Sequence, residues 1–464
     1  MGSSVDALEF EAGTRVHFVG IGGVSMSALA ELMHHRGHTV TGSDKQASEL
    51  TDRLGAMGLG IHIGHIAEAV EDTDMVVYTS AASDENPEIL RAREDHIPLM
   101  KRSEFLGRLT AGKRLVGVAG THGKTTTTAM VGAVLEAADL DPTVLVGGLV
   151  TGNEQNLRLG SQSIWAVEAD EFDRSFLTLH PEVSVVTNLE ADHLDCYRDL
   201  QEIQSAFGQY LNQTSCAAVL CVDSPLVSEL QVKKPGRKIE YGIGLRAQLR
   251  ADEIESKNFT STIRIRFQNE ELGNLFLQVP GLHNVRNALA AVGVGISLDL
   301  DWEAIRTGLE SFRGVRRRFE ILGEVDGVKV VSDYAHHPTE IRAVLEAARA
   351  EWSGRLVAVF QPHLYSRTRD FMAEFAGALQ AADLVVVADV YAAREQPIDG
   401  INAEGIVRSM RASGFEAVKH IGPTGEIAGY LTTVCRRGDL VITLGAGDID
   451  AVASDLLAAL SRAN

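Results

Sequence analysis

One stretch limits the folds open to this chain more than any other. The apolar run Leu115-Val116-Gly117-Val118-Ala119 leads directly into Gly120-Thr121-His122-Gly123-Lys124-Thr125-Thr126. The run reads as a buried strand, and the glycines as a turn from which a helix opens at Lys124. That geometry points unpaired backbone N–H groups and a helix N-terminus at one spot, where an anion is stabilised. Lys124 supplies positive charge for terminal phosphates, and the Thr125 hydroxyl can reach a bound divalent cation. The spacing is not the common one, because Val118 rather than glycine stands five residues before Gly123. The stretch predicts a bound nucleoside triphosphate.

Short apolar runs alternate with helical patterns along the whole chain, which predicts α/β architecture with parallel sheets. The first series holds strands at Arg15–Val19, 38–42 and Met75–Tyr78, with the turn Gly20-Ile21-Gly22-Gly23 and a helix near Met26–Arg36. The second begins at Leu115 and continues through strands at 164–167 and 183–187. There the alternating Thr262-Ile263-Arg264-Ile265-Arg266-Phe267 precedes Gly273-Asn274 and Leu275–Val279, a pattern that predicts an antiparallel hairpin on an otherwise parallel sheet. The third has strands at 328–331, 356–360, 384–387 and 440–444. Boundaries near Thr110 and Gly314 give three expected domains: 1–110 Rossmann-like, 111–314 a P-loop ATPase with a mixed sheet, and 315–464 again Rossmann-like.

Composition excludes several classes. A net charge of −20 argues against generic nucleic-acid binding, so an anionic substrate must meet local basic clusters. No apolar run approaches the roughly 20 residues of a membrane span. Met1–Asp6 lacks the basic and apolar segments of a secretory signal. Cys196, Cys216, Cys221 and Cys435 form no Cys-x-x-Cys pair, and a reduced cytoplasmic location is expected.

Ligands of open α/β sheets bind beyond the carboxyl ends of the strands, and the polar residues gather there. One strand runs into Glu168-Ala169-Asp170-Glu171 and another into Asn188-Leu189-Glu190-Ala191-Asp192-His193. Hard oxygen ligands with one imidazole suit Mg²⁺ or Mn²⁺. Asp44, 24 residues after Gly20, occupies the place of a ribose-reading acid, although Ser25 replaces the third glycine of a dinucleotide fingerprint. The third series carries Asp333-Tyr334-Ala335-His336-His337-Pro338 and Gln361-Pro362-His363 through Arg369. With Arg316-Arg317-Arg318, these are the basic clusters that an anionic substrate requires.

Together with Gly281-Leu282-His283-Asn284 and Asn287-Ala288, these motifs resemble the Mur ligase family over nearly the whole length. The resemblance implies an ATP-dependent, ADP-forming ligase acting on UDP-N-acetylmuramate in peptidoglycan precursor synthesis, with Mg²⁺ or Mn²⁺ as cofactor. It assigns the UDP sugar to the first domain, at Gly22, Gly23, Ser43 and Asp44. ATP falls to Gly120, Thr121, His122, Gly123, Lys124, Thr125 and Thr126, with His283, Asn287, Arg318 and Asp333. Thr125, Glu168 and His193 would hold the metal, and His336, His363 and Arg367 the amino acid. Lys124, Glu168, His193, His336 and Arg367 carry the expected chemistry.

Sister ligases that add later residues use a carbamylated lysine after the Asp-His motif. No lysine occurs between Lys124 and Lys233 here, which agrees with the branch whose amino acid is L-alanine. A ligase attaching a preformed peptide to the same sugar would share almost every motif. An NAD-dependent oxidoreductase would rest on Gly20–Gly23 and Asp44 alone, and an ATP-gated switch protein would use the loop without forming product. The sequence suggests neither nucleic acid nor membrane as partner, and a monomer or dimer fits equally.

Overall fold

The computed structural model describes residues 10–161, 163–190, 196–393 and 395–462. The N-terminal segment expected to lack a signal lies outside these residues. Three sheets follow one another along the chain. The first contains β1 (Arg15–Val19), β2 (Thr39–Asp44), β3 (Gly60–Ile63), β4 (Met75–Tyr78) and β5 (Leu99–Lys101), in the order β3-β2-β1-β4-β5. All its neighbours run parallel.

The second sheet comprises β6 (Arg114–Ala119), β7 (Thr143–Val150), β8 (Gln155–Arg158), β9 (Ile164–Glu168), β10 (Val183–Val186), β11 (Ala217–Cys221), β12 (Arg237–Gly242), β13 (Leu249–Lys257), β14 (Thr260–Phe267) and β15 (Glu270–Leu277). Its order is β15-β14-β13-β12-β11-β10-β6-β9-β7-β8. The central strands β6, β9, β10 and β11 are parallel and near-continuously apolar, because helices cover both faces. The mixed character arises at both edges. β7 and β8 are antiparallel at one, and the expected hairpin, β14–β15, forms the other.

The hairpin turn lies elsewhere than the sequence pattern suggested. It falls at Gln268-Asn269, both with positive φ of 51° and 71°, as a two-residue turn requires. Gly273 instead sits inside β15 at φ 146°, where an added Cβ would lie 2.7 Å from the Trp302 indole nitrogen. The glycine answers a close approach rather than a turn.

The third sheet holds β16 (Glu320–Val325), β17 (Val328–Asp333), β18 (Leu356–Phe360), β19 (Leu384–Val387), β20 (Val418–His420) and β21 (Leu440–Leu444), in the order β16-β17-β21-β18-β19-β20. Only β16 is antiparallel to its neighbour. Successive residues face opposite sides, so Val331, Ala358 and Phe360 pack in one core and Val330, Val357 and Val359 in another. Each valine or phenylalanine among them contributes about 1.5–3 kcal/mol on full burial.

Two compact units result. One takes in the described residues up to Asp252 with Arg264–Leu275 and Arg286–Phe312; the other holds Glu253–Ile263, Phe276–Val285 and the chain from Arg313. Within the first unit, the first two sheets share one apolar core. It runs from Phe18 and Phe105, in edge contact at 5.8 Å, to Trp165, Phe176 and Phe207.

Candidate active site

In the first unit, register does most of the assembly. β6 lies between β9 and β10, pairing Val118 with Glu168 and Ala119 with Val186. Three strand ends therefore converge: Gly120 after β6, Glu168 at the end of β9 and Thr187 after β10. Gly120 has φ 133° and touches the Thr187 hydroxyl where a Cβ would stand. Gly123, at φ 82°, caps the helix Lys124–Ala137, and an added Cβ would lie 2.6 Å from Asn287 Oδ1. Four consecutive threonines are poor helix formers, yet Thr125–Thr128 are buried, so packing rather than propensity holds this helix.

The loop is braced from β10. Asn188 Oδ1 accepts the His122 N–H at 2.8 Å, and its Nδ2 donates to the His122 carbonyl at 2.9 Å. The Thr187 hydroxyl donates to the same carbonyl at 2.6 Å, and Thr121 Oγ1 accepts the Glu190 N–H at 3.0 Å. Both edges of the turn are thus fixed before any ligand arrives.

Lys124 Nζ donates to Gly120 O and to Glu171 Oε2, each at 2.7 Å, with Asp170 at 3.8 Å. Burial alone would lower its pKa, but Glu171 and Asp170 together hold it above the ordinary lysine value. Glu168 goes the other way: burial raises its carboxyl, only partly opposed by the Gly147 N–H, Lys124 and the Thr125 hydroxyl. Gly147 must be glycine for this contact, since a Cβ would lie 2.7 Å from the carboxylate. A desolvated carboxylate beside a threonine hydroxyl is the donor set of a hard divalent cation, so Thr125 and Glu168 fit Mg²⁺ or Mn²⁺. His193, the expected third ligand, lies outside the described residues.

The other glycine turn of this unit follows β1. Gly22 N–H donates to Asp44 Oδ2 at 2.8 Å, which joins the turn to the end of β2. Ser43 is fully buried, and its hydroxyl donates to Glu88 Oε2 at 2.6 Å. Burial pushes the Glu88 carboxyl up, but hydrogen bonds from His17 and Ser43 outweigh it and hold the pKa below the ordinary value. Ser43 therefore anchors the turn from beneath, while Asp44 is half-buried at its rim.

The second unit gathers the remaining expected residues around the carboxyl ends of β17, β21 and β18, where Asp333, Leu444 and Phe360 lie in register. Asp333 accepts the Phe319 and Ala335 N–H groups at 2.6 and 2.7 Å, and burial pushes its carboxyl up to about 6. His336 and His363 meet with ring centroids 5.8 Å apart, and Arg367 is buried on the helix Tyr365–Asp370. Burial, with a contribution from Arg367, pushes His336 down to about 4, so the ring is neutral at physiological pH. Arg318 stacks over Tyr334 at 5.1 Å. His283 also falls in this unit, whereas Asn287 belongs to the first.

Three family models match successive stretches of the chain. Residues 15–114 match the model of the Mur ligase family, catalytic domain; residues 118–295 match the Mur ligase middle domain; and residues 317–447 match the Mur ligase, glutamate ligase domain. The chain is 48% identical to a UDP-N-acetylmuramate–L-alanine ligase of Salinibacter ruber, covering 94% of this chain and 92% of that protein. The chain belongs to the Mur ligase family. It is also 43% identical to a relative of the same description from Geotalea daltonii, covering 97% of this chain and 98% of that protein. A solved UDP-N-acetylmuramate-alanine ligase from Thermotoga maritima superposes with a TM-score of 0.85 at 31% identity, covering 97% of this chain and all of that one. A murein peptide ligase from Psychrobacter arcticus shares the fold, with a TM-score of 0.72 at 24% identity over 97% of this chain and 99% of that one.

Within this Mur ligase, several positions carry weight that sequence reasoning did not give them. Asn188 was visible only as part of a polar string, yet it braces the Gly120–Lys124 turn through His122. Asp170 and Glu171 proved to be the partners of Lys124. Glu340 accepts the backbone N–H groups of His336 and His337 at 3.1 and 3.3 Å and lies 3.8 Å from Arg318. Its signal was present: His337-Pro338-Thr339-Glu340 has the spacing of a helix-capping box with proline at the first helical position.

Proposed function

We infer that this chain joins L-alanine to the lactyl carboxylate of UDP-N-acetylmuramate in an ATP-consuming, ADP-forming reaction of the cytoplasm. Support comes first from relatives at 42–48% identity that are described as UDP-N-acetylmuramate–L-alanine ligases and match the chain over nearly its full length. It comes next from a phosphate loop whose lysine faces three carboxylates, the observation that carries the chemistry.

A carboxylate is a poor electrophile, so ATP must first convert it to an acyl phosphate. Its oxygen attacks the γ-phosphorus and ADP leaves; the deprotonated amine then attacks the acyl carbon and phosphate leaves. Two anions approach in the first step, and Lys124 with its permanent charge offsets their repulsion. Thr125 and Glu168 would hold Mg²⁺, which supplies further charge neutralisation at the phosphates. Gly22 and Asp44 would receive the diphosphate and ribose of the sugar nucleotide. His336, neutral because it is buried, can accept a proton, with His363 beside it near the amino acid. No side chain has to form a covalent intermediate.

The test is phosphate release in the presence of ATP, Mg²⁺ and UDP-N-acetylmuramate, with L-alanine or a tripeptide as acceptor. Release that depends on L-alanine supports the reading. Release only with the tripeptide would make the protein a peptide ligase, and release without any acceptor would make it an ATPase switch.

A further inference from the structure

Two turns near one edge of the second sheet share a backbone and differ in what they carry. Gln268-Asn269 joins β14 to β15, and both of its residues are exposed. Asn258-Phe259 joins β13 to β14 with φ values of 55° and 59°, again both positive. Such a turn favours glycine at its second position, because left-handed backbone crowds a Cβ and makes a bulky residue an outlier. Here that position holds phenylalanine, and the residue is buried. Strain of this kind persists only where the surrounding structure over-determines it. The tip of the hairpin, Glu253–Ile263, belongs accordingly to the second compact unit.

Within that unit the Phe259 ring joins the core beneath the third sheet. It lies 5.4 Å from the ring of Phe319 and 6.3 Å from that of Trp352, which it faces at 22°. Trp352 is itself fixed, since its indole N–H donates to the Gly438 carbonyl at 3.0 Å. Phe319 is also left-handed, at φ 48°, two positions after Arg317 at 57°. The two are held by different means. The Arg317 guanidinium donates to the carbonyls of Gly445 and Gly447, each at 2.8 Å. Phe319 donates its N–H to Asp333 at 2.6 Å and rests its ring on Phe259. Between them stands Arg318, over the Tyr334 ring.

We propose that Phe259 is a positioning residue for the nucleotide: it holds the backbone at Phe319 so that Arg318 and Asp333 keep the places from which they would contact ATP. The inference rests on the ATP-dependent reading above and adds to it a residue placed in the core rather than at the substrate. A guanidinium fork is effective only at a set distance and angle, so the joint that carries it must be rigid. A left-handed joint relaxes when its packing partner is removed, and the groups on either side move with it. A ring is suited to this task because aromatic pairs prefer defined geometries beyond their apolar burial.

The experiment measures, by calorimetry, dissociation constants for a non-hydrolysable ATP analogue with Mg²⁺ and for UDP-N-acetylmuramate. Wild type, Phe259→Ala and Phe259→Leu are compared, with melting temperature as the control for folding. Phe259→Ala is expected to weaken the ATP analogue about tenfold, as for a lost aromatic pair, and to leave UDP-N-acetylmuramate within about twofold. Phe259→Leu keeps the apolar volume without the ring, so it should fall between, and it carries the same comparison should Phe259→Ala fail to fold. In an Arg318→Ala background, Phe259→Ala should add less than about twofold, because the group it positions is already gone. A lower melting temperature with both constants unchanged would make Phe259 merely structural and overturn the inference. Equal losses for both ligands, or a full additional loss in the Arg318→Ala background, would also overturn it. A wild-type protein that binds no UDP-N-acetylmuramate would instead sink the ligase reading, while the ATP comparison would still decide the role of Phe259.

Discussion

The two glycine turns of the first unit have the same local plan and opposite electrostatics. Each follows the first strand of its sheet, one flanked on both sides by parallel neighbours, and each needs glycine at its entry, with φ 82° at Gly20 and 133° at Gly120. After Gly20–Gly23 comes the uncharged Val24-Ser25-Met26-Ser27, and the Asp44 carboxylate accepts the Gly22 N–H. After Gly120–Gly123 comes Lys124, ringed by Glu171, Asp170 and Glu168. The N–H groups of Gly20–Gly23 are themselves paired, so the first turn contributes one acceptor, Asp44, beside the N-terminus of the helix that follows, which suits a diphosphate with a ribose diol. The second offers a buried cation within a carboxylate cage, as a triphosphate with its metal requires. Backbone geometry suits both turns to an anion. The charges brought in from distant strand ends decide which anion, and what happens to it.

Substitutions can break this contrast. The largest effect is expected at Lys124: Lys124→Ala should cost roughly 10³-fold or more in kcat, the range found when one electrostatic contact to a transition state is removed. Binding of the UDP sugar, measured by calorimetry, should stay within about threefold. Near wild-type turnover by a folded Lys124→Ala protein would dismiss the acyl-phosphate account.

Next comes the rigidity of the second turn. Gly120→Ala forces both a left-handed alanine and a collision with the Thr187 hydroxyl, and should destabilise by about 2–4 kcal/mol in urea unfolding. Gly13 has φ 82° with nothing near its absent Cβ, so Gly13→Ala should cost only about 1 kcal/mol. Equal losses would mean that φ alone matters and that the Thr187 contact is incidental.

Asp44→Asn keeps the shape of the first turn but removes its charge. KM for the sugar nucleotide should rise about tenfold, with KM for ATP unchanged. A rise in both would erase the division of labour between the turns.

The smallest effect concerns pH. His336 is held at about 4, below its ordinary value near 6.5. Between these values the unfolded chain binds more protons than the folded one. Its contribution to stability is therefore full above about pH 6.5 and is lost as pH falls toward 4. An imidazole resonance for His336 titrating near 6.5 would contradict the burial seen here, and His336→Ala should flatten the acid side of the stability curve.

Much of this was legible in the chain itself. Strands such as Arg15–Val19, Met75–Tyr78 and Leu356–Phe360 announce themselves because a strand buried on both faces must be continuously apolar. The Gly120–Lys124 loop was equally plain, since only a few residue types tolerate its backbone. The hairpin turn was misplaced because glycine marks close approach as readily as it marks a turn. Only packing against Trp302 distinguishes the two at Gly273.

The sequence by itself determined the α/β class, the phosphate loop and the ligase family, because period, turn chemistry and motif order are local properties. Tertiary structure decided the counter-ions. Lys124 meets Glu171 across 47 positions and Gly22 meets Asp44 across 22, through strand orders that no local pattern encodes. Coulomb energy depends on distance in space and on local desolvation, and the fold sets both.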